Sequence, residues 1–213
     1  MKIELLEIFG NDEMVVNAAR VSFGKEASNY SEDQNAKLIK YLAEHNHTSP
    51  FRHPQLQYRI TCPIYVERQL FKHQVGLSAN SISGRYVDFS DTYTKINVWR
   101  KQSKSSKQGS EGMLFTDVAE KAKFIEEQMI DHGKRAYHTL IELGVSKEQA
   151  RTILPLNLNT TFIWTGSLYA YINMFKLRID ANAQAETRFI AMEMLHILKL
   201  TNKFILSLEA FHL

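Results

Sequence analysis

The sequence predicts one globular domain that mixes β-strands with α-helices and concentrates its helices in the second half. Three observations predict it. Period-two alternation marks residues 2–8 (KIELLEI) and 55–62 (QLQYRITC) as strands. Helical patterns with clear end signals cover 31–44 and 116–143. The 213 residues are 44% hydrophobic and 23% charged, enough to build a core without a disulfide or metal staple.

Gly10 and Asn11 close the first strand and open a helix over 12–21, with Asn11 as its N-cap. Ser31-Glu32-Asp33-Gln34 is a capping box that starts the next helix, whose Leu38, Ile39 and Leu42 face the core. The imidazole-rich loop HNHTSPFRHP leads into the 55–62 strand. Pro63 suits the first position of a helix, which the pattern carries to His73. Residues 75–86 (VGLSANSISGRY) are small and polar, so they predict a loop with a tight turn at Gly84. Residues 87–99 are strand-like. Residues 100–112 (RKQSKSSKQGSEG) are basic and Ser-rich, the composition of a mobile surface loop. The 116–143 helix stops at Gly144, and Ser146 caps a short helix holding Arg151. Residues 156–164 form a strand, Leu168, Ile172 and Phe175 mark a helix face, and a helical tail from 181 breaks near Thr201-Asn202.

Composition bounds the function. A net charge of +3 suits a small anionic substrate and falls short of a nucleic-acid footprint. One cysteine, Cys62, excludes an internal disulfide and a cysteine-rich zinc site, and fits a reducing, cytoplasmic setting. The acid-bearing N-terminus is no signal peptide, and no stretch approaches the roughly 18 apolar residues of a membrane span.

Four places carry polar side chains in suggestive patterns. Gln69, Lys72 and His73, at i, i+3 and i+4, share one face of the predicted helix and could hold an anion, although an ordinary solvated face has the same spacing. Asn80-Ser81-Ile82-Ser83-Gly84-Arg85-Tyr86 combines hydroxyls, backbone N–H groups around a glycine and a guanidinium, as a phosphate cradle does. A plain turn accounts for the same residues. His45, His47 and His53 sit close in sequence, but with no HExxH pattern they point to hydrogen bonding rather than to zinc. Arg151, Asn173, Arg178, Asp180, Asn182 and Gln184 form the fourth set, in which Arg178 either pairs with Asp180 or holds an anionic group. Cys62 has no base beside it and reads as a buried structural thiol.

Taken in order, these segments resemble the flavin-dependent thymidylate synthases. The resemblance rests on Ala18-Ala19-Arg20-Val21-Ser22-Phe23, on His47-Thr48-Ser49-Pro50-Phe51, on 63–74, on 80–86, on Ala150-Arg151 through Leu158, and on Asn173 through Arg178. It implies an α+β fold with an antiparallel sheet flanked by helices, including long C-terminal ones, assembled as a homotetramer whose subunits share active sites. It implies FAD as cofactor, with methylenetetrahydrofolate and NADPH as co-substrates and dUMP as the methyl acceptor. Gln69, Lys72, Ser81, Ile82, Ser83, Gly84, Arg85, Arg151 and Arg178 would hold the nucleotide, and Arg178 would act catalytically on the uracil ring. Ser22, His47, Ser49, Lys72, His73, Gln74, Asn80, Asn173 and Asn182 would lie around the flavin. No metal, nucleic acid or membrane is implied.

The chain departs from the family pattern at several of these positions. Lys72-His73-Gln74 stands where the family has R-H-R, and eight residues rather than seven precede Ser83. Ser81 replaces the family's Glu, Ser167-Leu168-Tyr169 its N-x-R, and Asn182 its His. These changes keep open a related hydroxymethylation of dUMP or dCMP, and a non-catalytic nucleotide-binding homologue.

Overall fold

A computed structural model gives the structure of the chain and describes every residue except 89–90 and 106–108. In chain order its elements are β1 (Lys2–Phe9), α1 (Asp12–Arg20), α2 (Glu32–Glu44), β2 (Gln55–Pro63), α3 (Ile64–Leu70), β3 (Leu77–Ser81), β4 (Arg100–Gln102), β5 (Ser110–Met113), α4 (Thr116–Glu142), α5 (Lys147–Ala150), β6 (Asn159–Ser167), α6 (Leu168–Arg178), α7 (Ala185–Leu200) and α8 (Ile205–Ala210).

Four strands pair in the order β1-β2-β6-β3, and β4 pairs with β5. Side-chain bonds fix the direction of the central pair. Gln57 reaches Thr165 and Thr61 reaches Thr161, so numbers rise on β2 as they fall on β6 and the two run antiparallel. Ser167 N–H donates to the Gly76 carbonyl and Ile82 N–H to the Thr161 carbonyl, which gives β3 the same sense against β6. This is the α+β fold with an antiparallel sheet that the resemblance implies.

Local sequence signals set several boundaries. The Asn11 side chain accepts from Met14 N–H and starts α1. Ser31 and Gln34 close a reciprocal capping box at the start of α2, which ends at Glu44 as expected. Helix α4 ends at Glu142, and Gly144 follows with φ 86, a left-handed conformation that glycine adopts without steric cost. The tail breaks as predicted: α7 stops at Leu200 and Asn202 takes φ 57 before α8.

Other boundaries move, each for a non-local reason. The helix predicted over 63–73 is shorter: Pro63 ends β2 and α3 runs only to Leu70. The predicted loop 75–86 contains β3, because Leu77–Ser81 becomes a strand beside β6. Pairing with β6 overrides the weak strand propensity of Leu-Ser-Ala-Asn-Ser. Gly166 makes this possible, since a Cβ there would collide with the Gly76 carbonyl and with Leu77. The strand-like stretch 87–99, whose residues 89–90 lie outside the described ones, shows only an isolated bridge from Tyr93 to Leu158 and the residues entering β4. The 100–112 loop carries the antiparallel β4–β5 pair, with Arg100 opposite Met113 and Gln102 opposite Ser110; residues 106–108 lie outside the described ones. The last sheet strand covers Asn159–Ser167 rather than 156–164. Ser146 occupies the N-cap position of α5 without a side-chain cap bond.

The chain forms two compact units. The first comprises Met1–Lys2, Thr61–Leu70 and Ser81–Phe162. Its core includes Val66, Leu70, Tyr137, Ala150, Leu158 and Phe162, all nearly or fully buried. Gly133 in α4 lets Pro155 approach, since a Cβ there would stand 3.0 Å from the proline ring. The second comprises Ile3–Ile60, Phe71–Asn80 and Ile163–Leu213. Its core is aromatic. Tyr58 and Tyr171 cross edge to face at 5.3 Å, and Trp164 meets Tyr171 at 5.5 Å. Their hydroxyls are satisfied, Tyr58 donating to the Met194 carbonyl at 3.1 Å and Tyr171 to the Trp164 carbonyl at 2.7 Å. Burying each such side chain contributes about 1.5–3 kcal/mol. Asp12, at the start of α1, accepts from Leu206 N–H, Ser207 N–H and the Ser207 hydroxyl, which fastens α8 to α1 across the sequence.

Candidate functional site

The predicted nucleotide residues gather mainly in the first unit. Strand β3 ends at Ser81, and Ile82 N–H donates to the Thr161 carbonyl at 2.8 Å, which pins the chain where it leaves the sheet. A turn follows. The Ser83 carbonyl accepts from Tyr86 N–H at 3.0 Å and Val87 N–H at 3.2 Å, the Ser83 hydroxyl accepts from Arg85 N–H at 3.3 Å, and Gly84 is buried at the bend. The tight turn expected at Gly84 is present.

This turn aims Arg85 at α5. Arg85 Nε lies 2.9 Å from Glu148 Oε2, and Arg151 Nε donates to the Glu148 carbonyl at 3.3 Å. Lys147 Nζ donates to the Tyr86 carbonyl at 3.4 Å. Three cations therefore collect where the turn meets α5, Arg85 on the Glu148 carboxylate and Arg151 and Lys147 on backbone carbonyls, and Arg85 and Arg151 are both exposed. Such a surface favours a polyanionic group, and its guanidinium forks can take phosphate oxygens in pairs. Sequence reasoning missed Lys147 and Glu148. Their spacing to Arg151, i to i+4 and i to i+3 on a short helical turn, was the available signal. Gln69 sits half-buried on α3.

The second unit holds Lys72, Arg178 and the predicted flavin residues. Arg178, in the last turn of α6, donates from Nε to His73 Nε2 at 2.9 Å. That bond assigns His73 its state. Nε2 accepts, so the ring is neutral with its proton on Nδ1. Burial and then the Arg178 charge both hold the His73 pKa below its usual 6.5. The shared helix face of Gln69, Lys72 and His73 is not formed. Helix α3 ends at Leu70, Lys72 is exposed in the following turn, and His73 is half-buried against Arg178.

The remaining candidates sit on separate segments of this unit. Ser22 lies in the 3-10 turn Val21–Phe23, and Ser49 begins the 3-10 turn Ser49–Arg52 just after His47. Gln74 precedes β3 and Asn80 is its penultimate residue, both exposed. Asn173 is exposed on α6 between buried Ile172 and Met174. Asn182 is tied to Asp180, whose Oδ1 accepts from Asn182 N–H at 2.7 Å and from its amide at 3.0 Å.

Cys62 is fully buried, and burial, reinforced by the Glu67 charge, pushes its thiol up to about 12. A thiol so far above neutral pH supplies no thiolate nucleophile. Among the described residues no group of three His, Cys, Asp or Glu side chains is placed to hold a metal ion, and no helix is long and apolar enough to cross a membrane.

Known proteins are similar to this chain along almost its whole length. Residues 4–201 match the family model of the thymidylate synthase complementing proteins. A flavin-dependent thymidylate synthase of Thermus thermophilus is 39% identical over 197 residues, covering 92% of this chain and 71% of that protein. One from Kosmotoga olearia is 38% identical over 209 residues, covering 98% of this chain and 89% of the relative. Among solved structures, the UMP/dUMP methylase PolB from Streptomyces cacaoi, bound with 5-Br dUMP, superposes with a TM-score of 0.87 at 25% identity, covering 99% of this chain and 94% of that one. A family match of this extent, on a fold and residue order that agree with it, means that the chain belongs to the thymidylate synthase complementing proteins, the flavin-dependent thymidylate synthase family.

Proposed function

We propose that the chain methylates C5 of dUMP to give dTMP. Methylenetetrahydrofolate supplies the carbon, and NADPH with one proton supplies the two-electron reduction, leaving tetrahydrofolate and NADP⁺. The observation that carries this reading is Arg178 held by a neutral imidazole. A neutral imidazole orients the guanidinium without itself adding a counter-charge, and a guanidinium fixed in this way suits a developing anion on the uracil oxygens. Loss of the N3 proton to solvent puts that charge on the ring, and the anionic ring is richer in electrons at C5, where the new bond forms. A buried Cys62 with a raised pKa agrees with activation that needs no covalent thiol adduct.

The Arg85–Arg151–Lys147 cluster holds the 5′-phosphate, with Ser83 and Gly84 supplying the turn around it. Gln69, Lys72, Ser81 and Ile82 complete the nucleotide set. The donor set of the second unit suits a flavin. Asn80, Asn173 and Asn182 each offer both a donor and an acceptor, as the edge of an isoalloxazine ring requires, and Ser22, His47, Ser49, Lys72, His73 and Gln74 add further donors and acceptors. FAD, when bound there, supplies the redox chemistry. The protein's share is to orient, to hold charge and to keep His73 neutral.

The sites lie at the subunit boundaries of a homotetramer, so the phosphate cluster and Arg178 of one site need not come from one chain. Val118, Ile125 and Met129 support this: they form an exposed apolar stripe at helical spacing on α4, a surface suited to burial against another chain. The enzyme works in the cytoplasm. Purified protein should be yellow and should convert dUMP to dTMP with methylenetetrahydrofolate and NADPH. Colourless protein that takes up no FAD and makes no dTMP overturns the proposal.

A further inference from the structure

The first unit contains a carboxylate that neither the family resemblance nor the reaction above assigns. Glu67 of α3 is half-buried, and its Oε1 accepts the hydroxyl of Ser81 at 2.6 Å. Ser81 is the residue where this chain departs from the family's Glu. The carboxylate absent at 81 thus stands one hydrogen bond behind it, supplied by a helix 14 residues earlier. An ionised carboxylate only accepts, so the proton between the two belongs to Ser81. A serine with its proton committed in this way turns only lone pairs to the solvent, and its partner's charge strengthens them.

Ser81 is exposed, while the Ile82 N–H bond to Thr161 fixes the backbone beside it. Ser83 comes two residues later, about 6–7 Å along an extended chain. A nucleotide whose phosphate lies on the Ser83–Arg85 turn has its sugar within that reach. The group that matches a bare acceptor is a hydroxyl donor, and the free sugar hydroxyl of a 2′-deoxynucleotide 5′-phosphate is the 3′-OH.

We propose that Glu67 is a positioning residue: it locks the Ser81 hydroxyl as an acceptor, and Ser81 then reads the 3′-hydroxyl of the nucleotide. The proposal rests on the nucleotide reading above and adds a specificity device to it. Burial holds the Glu67 carboxyl above its usual range, and the Ser81 hydrogen bond and the Arg68 charge act against that rise.

The test is calorimetric binding of dUMP and of 2′,3′-dideoxyuridine 5′-monophosphate to the full chain and its variants. Wild type should prefer dUMP by about fivefold to tenfold, the range of one net hydrogen bond. Ser81→Ala should bring the ratio to about one, and Glu67→Ala to about two. The double variant should match Ser81→Ala alone, because the two residues act in series. If Glu67→Ala fails to fold, Glu67→Gln keeps the shape and an uncharged acceptor, and its ratio should fall between those of wild type and Ser81→Ala. A wild-type ratio near one overturns the proposal. So does any of these variants that keeps the wild-type ratio, or a Ser81→Ala protein that loses both ligands by the same factor. Wild-type protein that binds neither nucleotide overturns this proposal and the nucleotide reading together, which separates that failure from the others.

Discussion

Arg178 and His73 are 105 residues apart in sequence and 2.9 Å apart in space, and each sets the other's chemistry. Burial and the guanidinium charge keep the imidazole neutral, and the imidazole gives Nε a fixed acceptor. Arg178→Ala should lower kcat/KM by roughly 100-fold to 1000-fold, about 2–4 kcal/mol, by analogy with a lost oxyanion donor. Affinity for dUMP, measured by calorimetry, should change far less if the phosphate is held, as proposed, by Arg85, Arg151 and Lys147. Equal losses in both would reassign Arg178 to ground-state binding. The pair also sets a pH dependence. The folded-state pKa of His73 lies below 6.5, so above pH 6.5 both folded and unfolded states hold it neutral. As pH falls from 6.5 toward the folded value, the unfolded chain takes up a proton that the folded chain refuses, and stability declines. Below the folded value the imidazolium can no longer accept from Arg178. An acid limb in kcat/KM should therefore appear below pH 6.5 in wild type and be missing in His73→Gln, whose amide oxygen still accepts but does not titrate. A variant that retains the limb would point to another group.

Elements are positioned by contacts of two kinds. Asp12 is a cap supplied from the far end of the chain: its carboxylate takes the first N–H groups of α8, 194 and 195 residues away. Removing it leaves those donors without their acceptor, so Asp12→Ala should cost about 1–2 kcal/mol, read as a lower midpoint in thermal denaturation. Asp12→Asn, which keeps one acceptor oxygen, should recover part of the loss. Gly166 acts by omission, since its missing Cβ admits Gly76 and Leu77 and so allows β3 to lie beside β6. That packing sets the path of the chain after α3. The apolar and polar spacing of 63–73 reads as one helix, yet the strand claims Leu77–Ser81, the helix stops at Leu70, and His73 turns to Arg178 instead of extending a helical face. By contrast α1 and α2 were legible almost to the residue, because Asn11 and Ser31 act on N–H groups only three positions away.

For the whole molecule, the exposed stripe of Val118, Ile125 and Met129 bears on assembly. Light scattering should give about four chain masses, and Ile125→Glu should lower that mass and with it the flavin content. A wild-type monomer with full activity would contradict shared sites. Chain order was enough to specify the mixed fold class, the capped helices α1, α2 and α4, the strand β2, and the Ser83-Gly84-Arg85 turn, because each is encoded by periodicity or by hydrogen bonds spanning three or four residues. The end of α3, the strand β3, the β4–β5 pair, the neutral state of His73, and the partners Glu148 and Glu67 emerged from packing in three dimensions. Each of these depends on a group brought close by folding rather than by its place along the chain. Strand pairing and pKa are properties of the neighbour in space, and local sequence does not name that neighbour.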